Sequence, residues 1–223
     1  MNAPAVGTVD FGDLRRTSPI SDVFGFDRGV PVDRHYIESF LADNSSAILG
    51  RVLEIGDDTY TRRFGGERVT QADILHVTGD SPAATIIADL TDAPQIPTDS
   101  FDCIILTQTL HFTYRMEAEV AELQRILRPG GVVLCTVPGI SQISRFDMDR
   151  WGDYWRLTDR SARELFETAF QADQVEVSTY GNVLAATALL HGLALSELSE
   201  HELDVHDRDY QVIVAVRATK ARA

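Results

Sequence analysis

The sequence predicts an α/β protein with a mostly parallel sheet and helices on both faces. Two observations carry this. Short runs bounded by turn residues alternate with segments of helical period. The short runs are apolar throughout, as strands buried on both faces should be.

Each element follows in order. The segment up to about residue 30 is rich in Gly, Pro, Asp and Ser, with apolar residues at Phe24, Phe26 and Val30, and reads as an irregular arm able to fold over a site. A helix is expected over 34–49, because Tyr36, Ile37, Phe40, Leu41, Ile48 and Leu49 share one side and Gly50 stops it. Strands are expected at 52–55, 74–77, 85–88, 103–106 and 132–137. Met116, Val120, Leu123 and Leu127 place a helix over 115–127, with Pro129-Gly130-Gly131 ending it and opening the next strand. A helix over 161–170, a strand over 175–180, an apolar helix over 183–198 and a strand over 210–217 complete the chain. If the last two strands pair, the final one runs antiparallel to the rest. The whole of 1–223 reads as a single domain, with an arm and helix over 1–50 and an α/β core over 51–217.

Composition narrows the function. Thirty-four acidic against 20 basic residues give a formal net charge of −14 and a pI near 4.7, which disfavours nucleic acid and anionic membrane as partners. No run of about 18 apolar residues predicts membrane insertion, and the first residues carry no signal-peptide pattern. The two cysteines, Cys103 and Cys135, sit in apolar runs and read as small core residues in a reducing compartment. The expectation is a soluble cytoplasmic protein, its oligomeric state left open.

The most informative stretch is Arg51-Val52-Leu53-Glu54-Ile55-Gly56-Asp57-Asp58-Thr59-Tyr60. A buried strand closed by glycine is where an open α/β sheet holds its ligand. The glycines that usually follow are replaced by side chains, which argues against a dinucleotide dehydrogenase.

Val52-Leu53-Glu54-Ile55-Gly56, then Ala88-Asp89-Leu90 before Ile96-Pro97, then Phe101-Asp102-Cys103-Ile104-Ile105, then Leu127-Arg128-Pro129-Gly130-Gly131 occur in this order. Over roughly 50–217 the chain thereby resembles the class I S-adenosylmethionine-dependent methyltransferases. Asp153-Tyr154-Trp155-Arg156-Leu157-Thr158 also resembles a stretch of bacterial methyltransferases encoded with polysaccharide and glycosyltransferase genes. The resemblance implies a Rossmann-like, doubly wound sheet of seven strands, mostly parallel with an antiparallel last strand. It also implies S-adenosyl-L-methionine as cofactor and a small-molecule or glycan substrate.

It further implies site residues. Glu54 orients the turn after the first strand, and Gly56 lets backbone approach the methionine half of the cofactor. Asp57 accepts from the cofactor's ammonium or, alternatively, caps a turn with Asp58 to start a helix over 59–64. The acidic residue expected after the second strand is missing. His76, Thr78 and Asp80 are the nearest polar groups, with His76 a ribose candidate or a core residue. Asp89 and Leu90 match the adenine-reading position, while Thr107 and Gln108 end the fourth strand at the ligand edge.

A hydroxyl acceptor needs a base. His111 is one candidate, or a loop histidine without a role. Asp147, Asp149 and Asp153 are alternatives, with Asp149 the catalytic candidate beside His111; their spacing specifies no metal site. Trp151, Tyr154, Arg145 and Arg156 suit a sugar ring, whose face stacks and whose hydroxyls need paired partners, unless the tryptophans anchor the loop. The arm Phe24-Gly25-Phe26-Asp27-Arg28, with Asp33-Arg34-His35-Tyr36, closes the pocket from the other side. The function expected is O-methylation of a sugar, glycan or other hydroxylated small molecule. The alternative is an inactive methyltransferase-like partner or regulatory subunit.

Overall fold

The computed structural model describes residues 3–222. Seven strands form one sheet: β1 (Gly50–Ile55), β2 (Val69–His76), β3 (Ile86–Ile87), β4 (Phe101–Thr107), β5 (Leu127–Pro138), β6 (Val175–Tyr180) and β7 (Ile213–Thr219). Their order is β3-β2-β1-β4-β5-β7-β6. β1 through β5 pair in parallel, and β7 lies antiparallel between β5 and β6.

Six helices accompany the sheet: α1 (Val32–Asp43), α2 (Met116–Ile126), α3 (Arg145–Met148), α4 (Asp159–Phe166), α5 (Val183–His191) and α6 (Glu200–Asp204). The period of two along a strand divides the core. Ile104 and Leu106 of β4 join Val120 and Leu123 of α2 and Phe166 of α4 on one face. Cys103 and Ile105 join Ile37 and Leu41 of α1 and Leu189 of α5 on the other. Both faces are covered, hence the largely apolar central strands β4 and β5.

Several boundaries differ from expectation, each for a local reason. The first helix ends at Asp43, because Asp43-Asn44-Ser45-Ser46 offers the backbone side-chain partners; Asn44 Nδ2 donates to the Phe40 carbonyl at 2.9 Å. Pro129-Gly130-Gly131 lies inside β5, with a register break between Phe101 and Cys103 on its neighbour. The apolar helix stops at His191, where Gly192 takes a left-handed conformation. The segment expected as a helix over 59–64 is helical over 59–65, its larger part, Thr61–Gly65, wound as one π turn.

The order reverses between β1 and β4. Chain leaving these neighbours diverges to opposite sides, and a crevice opens beyond their carboxyl ends.

Candidate active site

Two adjoining cavities occupy that crevice. The larger, about 610 Å³, lies against Ile55 and Gly56 after β1, His76 at the end of β2, Asp89, Leu90 and Thr91 after β3, and Thr109 and Phe112–Arg115 after β4. The smaller, about 160 Å³, is lined by Gln108, His111, Asp153 and Arg156 below and by Phe24, Phe26, Asp33 and Arg34 above. Phe112 and Asp147 line both.

Glu54 builds the entrance turn. Its buried carboxylate accepts from Tyr60 N at 3.1 Å and Thr61 N at 2.7 Å, folding 56–61 back over β1. Burial outweighs these bonds and pushes the carboxyl up to about 6. Gly56 has φ +89°, and a Cβ there would meet no protein atom, so the backbone is bare on the cavity side.

Asp57 corrects the first expectation. Its Oδ1 accepts from Thr59 N at 2.8 Å, so it caps the turn and lies outside the cavity lining. Tyr60 does not fill the space that Asp57 leaves. Its hydroxyl accepts from Arg34 at 3.1 Å and its ring meets Phe64 on the opposite side of the turn.

His76 reaches the cavity with its ring fixed. Nδ1 stands 2.8 Å from the Thr78 carbonyl and accepts from the Thr78 amide N at 3.2 Å in the alternative tautomer, so Thr78 holds the ring through Nδ1 and leaves Nε2 free. Trp151 meets it edge-on at 6.1 Å. Asp89 Oδ1 accepts from Thr91 N at 2.8 Å and Leu90 is buried beside it.

The smaller cavity gathers groups distant in sequence. His111 is buried, and its Nδ1 has no protein partner. Burial, with Arg156 assisting against Asp153, lowers its pKa to about 4, so the imidazole is neutral at physiological pH. Arg156 donates to both Asp153 oxygens and to the Ser141 and Gln142 carbonyls. Burial alone would raise the Asp153 carboxyl; the bonds from Arg156 and Ser144 N hold it below its ordinary value. Asp33 is half-buried with Oδ1 enclosed and unpartnered, and desolvation raises its carboxyl.

Other expected site residues lie elsewhere. Tyr36 is a core residue, its hydroxyl donating to the Leu203 carbonyl at 3.1 Å and its ring stacked on Tyr180. Asp149, 64% exposed, faces solvent opposite Arg145 at 3.8 Å, and neither lines a cavity, because α3 turns both outward. Thr107 is outside the lining; its carbonyl accepts from Thr109 Oγ1. Gln108, held at φ +49° with its amide N donating to Thr136 O, faces the smaller cavity and not the larger one. Trp151 and Tyr154 wall the larger cavity and form no separate sugar platform, while Trp155 anchors its loop by stacking on Tyr114.

Sequence reasoning missed Glu119, Tyr114 and Arg115. Glu119 carried a signal: it falls three residues after Met116 and four before Leu123, on the apolar side of α2. Among the described residues, no three His, Cys, Asp or Glu side chains gather as metal ligands. No helix among them is long and apolar enough to cross a membrane.

Residues 55–135 match the family described as "Methyltransferase domain". A solved S-adenosylmethionine-dependent methyltransferase from Archaeoglobus fulgidus superposes with a TM-score of 0.55 at 10% identity, over 84% of this chain and 94% of that one. The fold is a methyltransferase fold. A putative methyltransferase of Haloferax volcanii, solved with the Trm112 methyltransferase activator, gives 0.54 at 16% identity over 85% and 92%. The [4+2]-cyclase SpnF gives 0.52 at 18% identity over 84% and 81%. No curated protein sequence matches the chain. At these identities the methyltransferase fold is what is shared, and the reaction is argued from the site.

Proposed function

We propose that this protein is an S-adenosylmethionine-dependent methyltransferase that O-methylates a sugar, the end of a glycan or another compact hydroxylated molecule. One observation carries the reading: the large cavity at the β1 turn shares Phe112 and Asp147 with a small one lined by a buried, neutral histidine.

The larger cavity fits the cofactor. Its volume lies in the usual range for ligand sites of about 300–1,000 Å³. The bare backbone at Gly56 suits the methionine half, His76 Nε2 suits a ribose hydroxyl, and Asp89 with the Leu90 amide suits the adenine. When bound, S-adenosylmethionine supplies an electrophilic methyl group.

The chain's own residues then do three things. Phe112, shared by both cavities, and the arm residues Phe24 and Phe26 exclude water and confine the acceptor. Asp33, Arg34 and Gln108 offer acceptors and donors for its hydroxyls. His111, uncharged, takes the proton that the hydroxyl loses as it attacks, a role that typically contributes about 10²–10⁴-fold. Alignment supplies the rest. The buried free thiols Cys103 and Cys135 suit a reducing compartment, and we place the reaction in the cytoplasm.

Calorimetry with S-adenosylhomocysteine, followed by a turnover screen over sugars and other hydroxylated acceptors, tests this. Absence of binding at millimolar ligand would end it. One observation favours a second reading, an inactive partner subunit: Asp57 serves the turn and not the cavity. Turnover on any acceptor, lost in His111→Ala, excludes that reading.

A further inference from the structure

Glu119 stands in the first turn of α2, is 2% exposed, and still lines the larger cavity. A buried carboxyl normally faces a cation. Here the charge that acts on it is Asp89, of the same sign, and its hydrogen-bond partner is the Thr113 side chain. Arg115, just before the helix, is bonded to Thr91 Oγ1 at 2.9 Å. Cys135 of β5 lies beneath, Asp147 and Arg150 line the cavity's far wall, and His111 faces the smaller cavity. From the packed α4, the buried side chains are Ala162, Leu165 and Phe166.

In this setting the Glu119 carboxyl keeps its proton up to the neutral range, and in that form it is a donor. Burial first, then the Asp89 charge, push it up to about 7 against the Thr113 hydrogen bond. A donor beside an acceptor forms a two-point pattern. Adenine presents the complement, an amino group next to a ring nitrogen, whereas guanine sets two acceptors side by side on the corresponding edge.

We propose that Glu119 is a second adenine-reading residue: as a carboxylic acid it donates to an adenine ring nitrogen while Asp89 accepts from the neighbouring amino group. This rests on the reading that the larger cavity holds S-adenosylmethionine. It adds a consequence, that cofactor affinity depends on a proton held by the protein.

Titration calorimetry of the full chain with S-adenosylhomocysteine from pH 6 to 8.5 tests it, using wild type, Glu119→Gln and Glu119→Leu. Wild-type affinity should fall above pH 7, approaching about tenfold per pH unit. Glu119→Gln, which keeps a donor but cannot ionise, should bind at pH 8.5 as wild type does at pH 6. Glu119→Leu should bind about tenfold more weakly than wild type at pH 6. A pH profile shared by wild type and Glu119→Gln overturns the assignment while leaving the cofactor reading intact. Absence of binding by wild type at every pH overturns both. Should Glu119→Leu not fold, the near-isosteric Glu119→Gln decides alone.

Discussion

The Glu54 carboxylate grips the turn that follows its own strand, accepting the Thr61 amide at 2.7 Å. A second oxygen takes the Tyr60 amide, so one side chain satisfies two donors of a turn that has no further glycines to shape it. Glu54→Ala should cost about 1–3 kcal/mol, measured by urea unfolding, because those amides lose their acceptor. The burial that raises the Glu54 carboxyl offsets part of the loss, placing the value toward the lower end. Affinity for S-adenosylhomocysteine should fall with it, since the turn that Glu54 folds carries Gly56.

Asp89 and Asp57 should behave oppositely. Asp89 lines the larger cavity and Asp57 does not. Asp89→Ala should weaken S-adenosylhomocysteine binding by roughly tenfold or more, the worth of a charge-assisted hydrogen bond, with little change in Tm because the side chain is exposed. Asp57→Ala should leave binding within about threefold. Equal losses from the two would show that the turn rearranges around the ligand.

His111→Ala should lower kcat by about 10²–10⁴-fold and leave S-adenosylhomocysteine affinity within about twofold, since His111 lines only the smaller cavity. Its pKa, lowered to about 4, also sets a pH signature. The base stays uncharged through pH 6, so an acid limb of kcat near 6.5 would exclude it. Stability has the matching sign: unfolded chain takes up the proton first, so His111 destabilises the fold progressively as pH falls from about 6.5 to 4. His111→Gln should flatten that part of a Tm-against-pH curve.

Glu119 predicts the opposite slope. Its folded pKa lies above that of an ordinary carboxylate, so stability falls as pH rises from about 4.5 toward 7. Without ligand, Glu119→Gln should melt above wild type at pH 8, and the two should coincide at pH 5, as read by calorimetry across that range.

Arg156→Ala should cost about 3 kcal/mol, because it leaves the Asp153 side chain, 1% exposed, as a buried charge without its partner. Asp153→Asn in the same background should recover part of it. Simple additivity of the two would mean that the pair does not couple.

Much of this was legible in the sequence because it lies on strands. An apolar run closed by glycine marks both the strand and the place of the ligand at Gly56, while Glu54, Asp89 and Leu90 followed from the resemblance to the class I methyltransferases. The smaller cavity could not be assembled that way. Asp33 of α1, His111 after β4 and Asp153 after β5 line one cavity, and no local pattern encodes such a meeting. Asp57 was ambiguous because a carboxylate after a strand can serve a ligand or its own backbone, and the amide two residues on was closer. Tyr36 obeyed its helical spacing, and its core role was written there. Arg145 and Asp149 shared composition with residues that face the cavity, but α3 turns them to solvent.

The position of β7 between β5 and β6 bears on how the protein is made. A nascent chain emerging from its amino end can pair β1 through β5 as each strand appears. β6 hydrogen-bonds only to β7, so residues 175–180 have no sheet neighbour until 213–219 have been synthesised. For that interval β5 also presents an open, apolar edge. Ribosome stalling between these strands would therefore expose the segment most prone to edge-to-edge association, and a chaperone acting on this chain would find its work there.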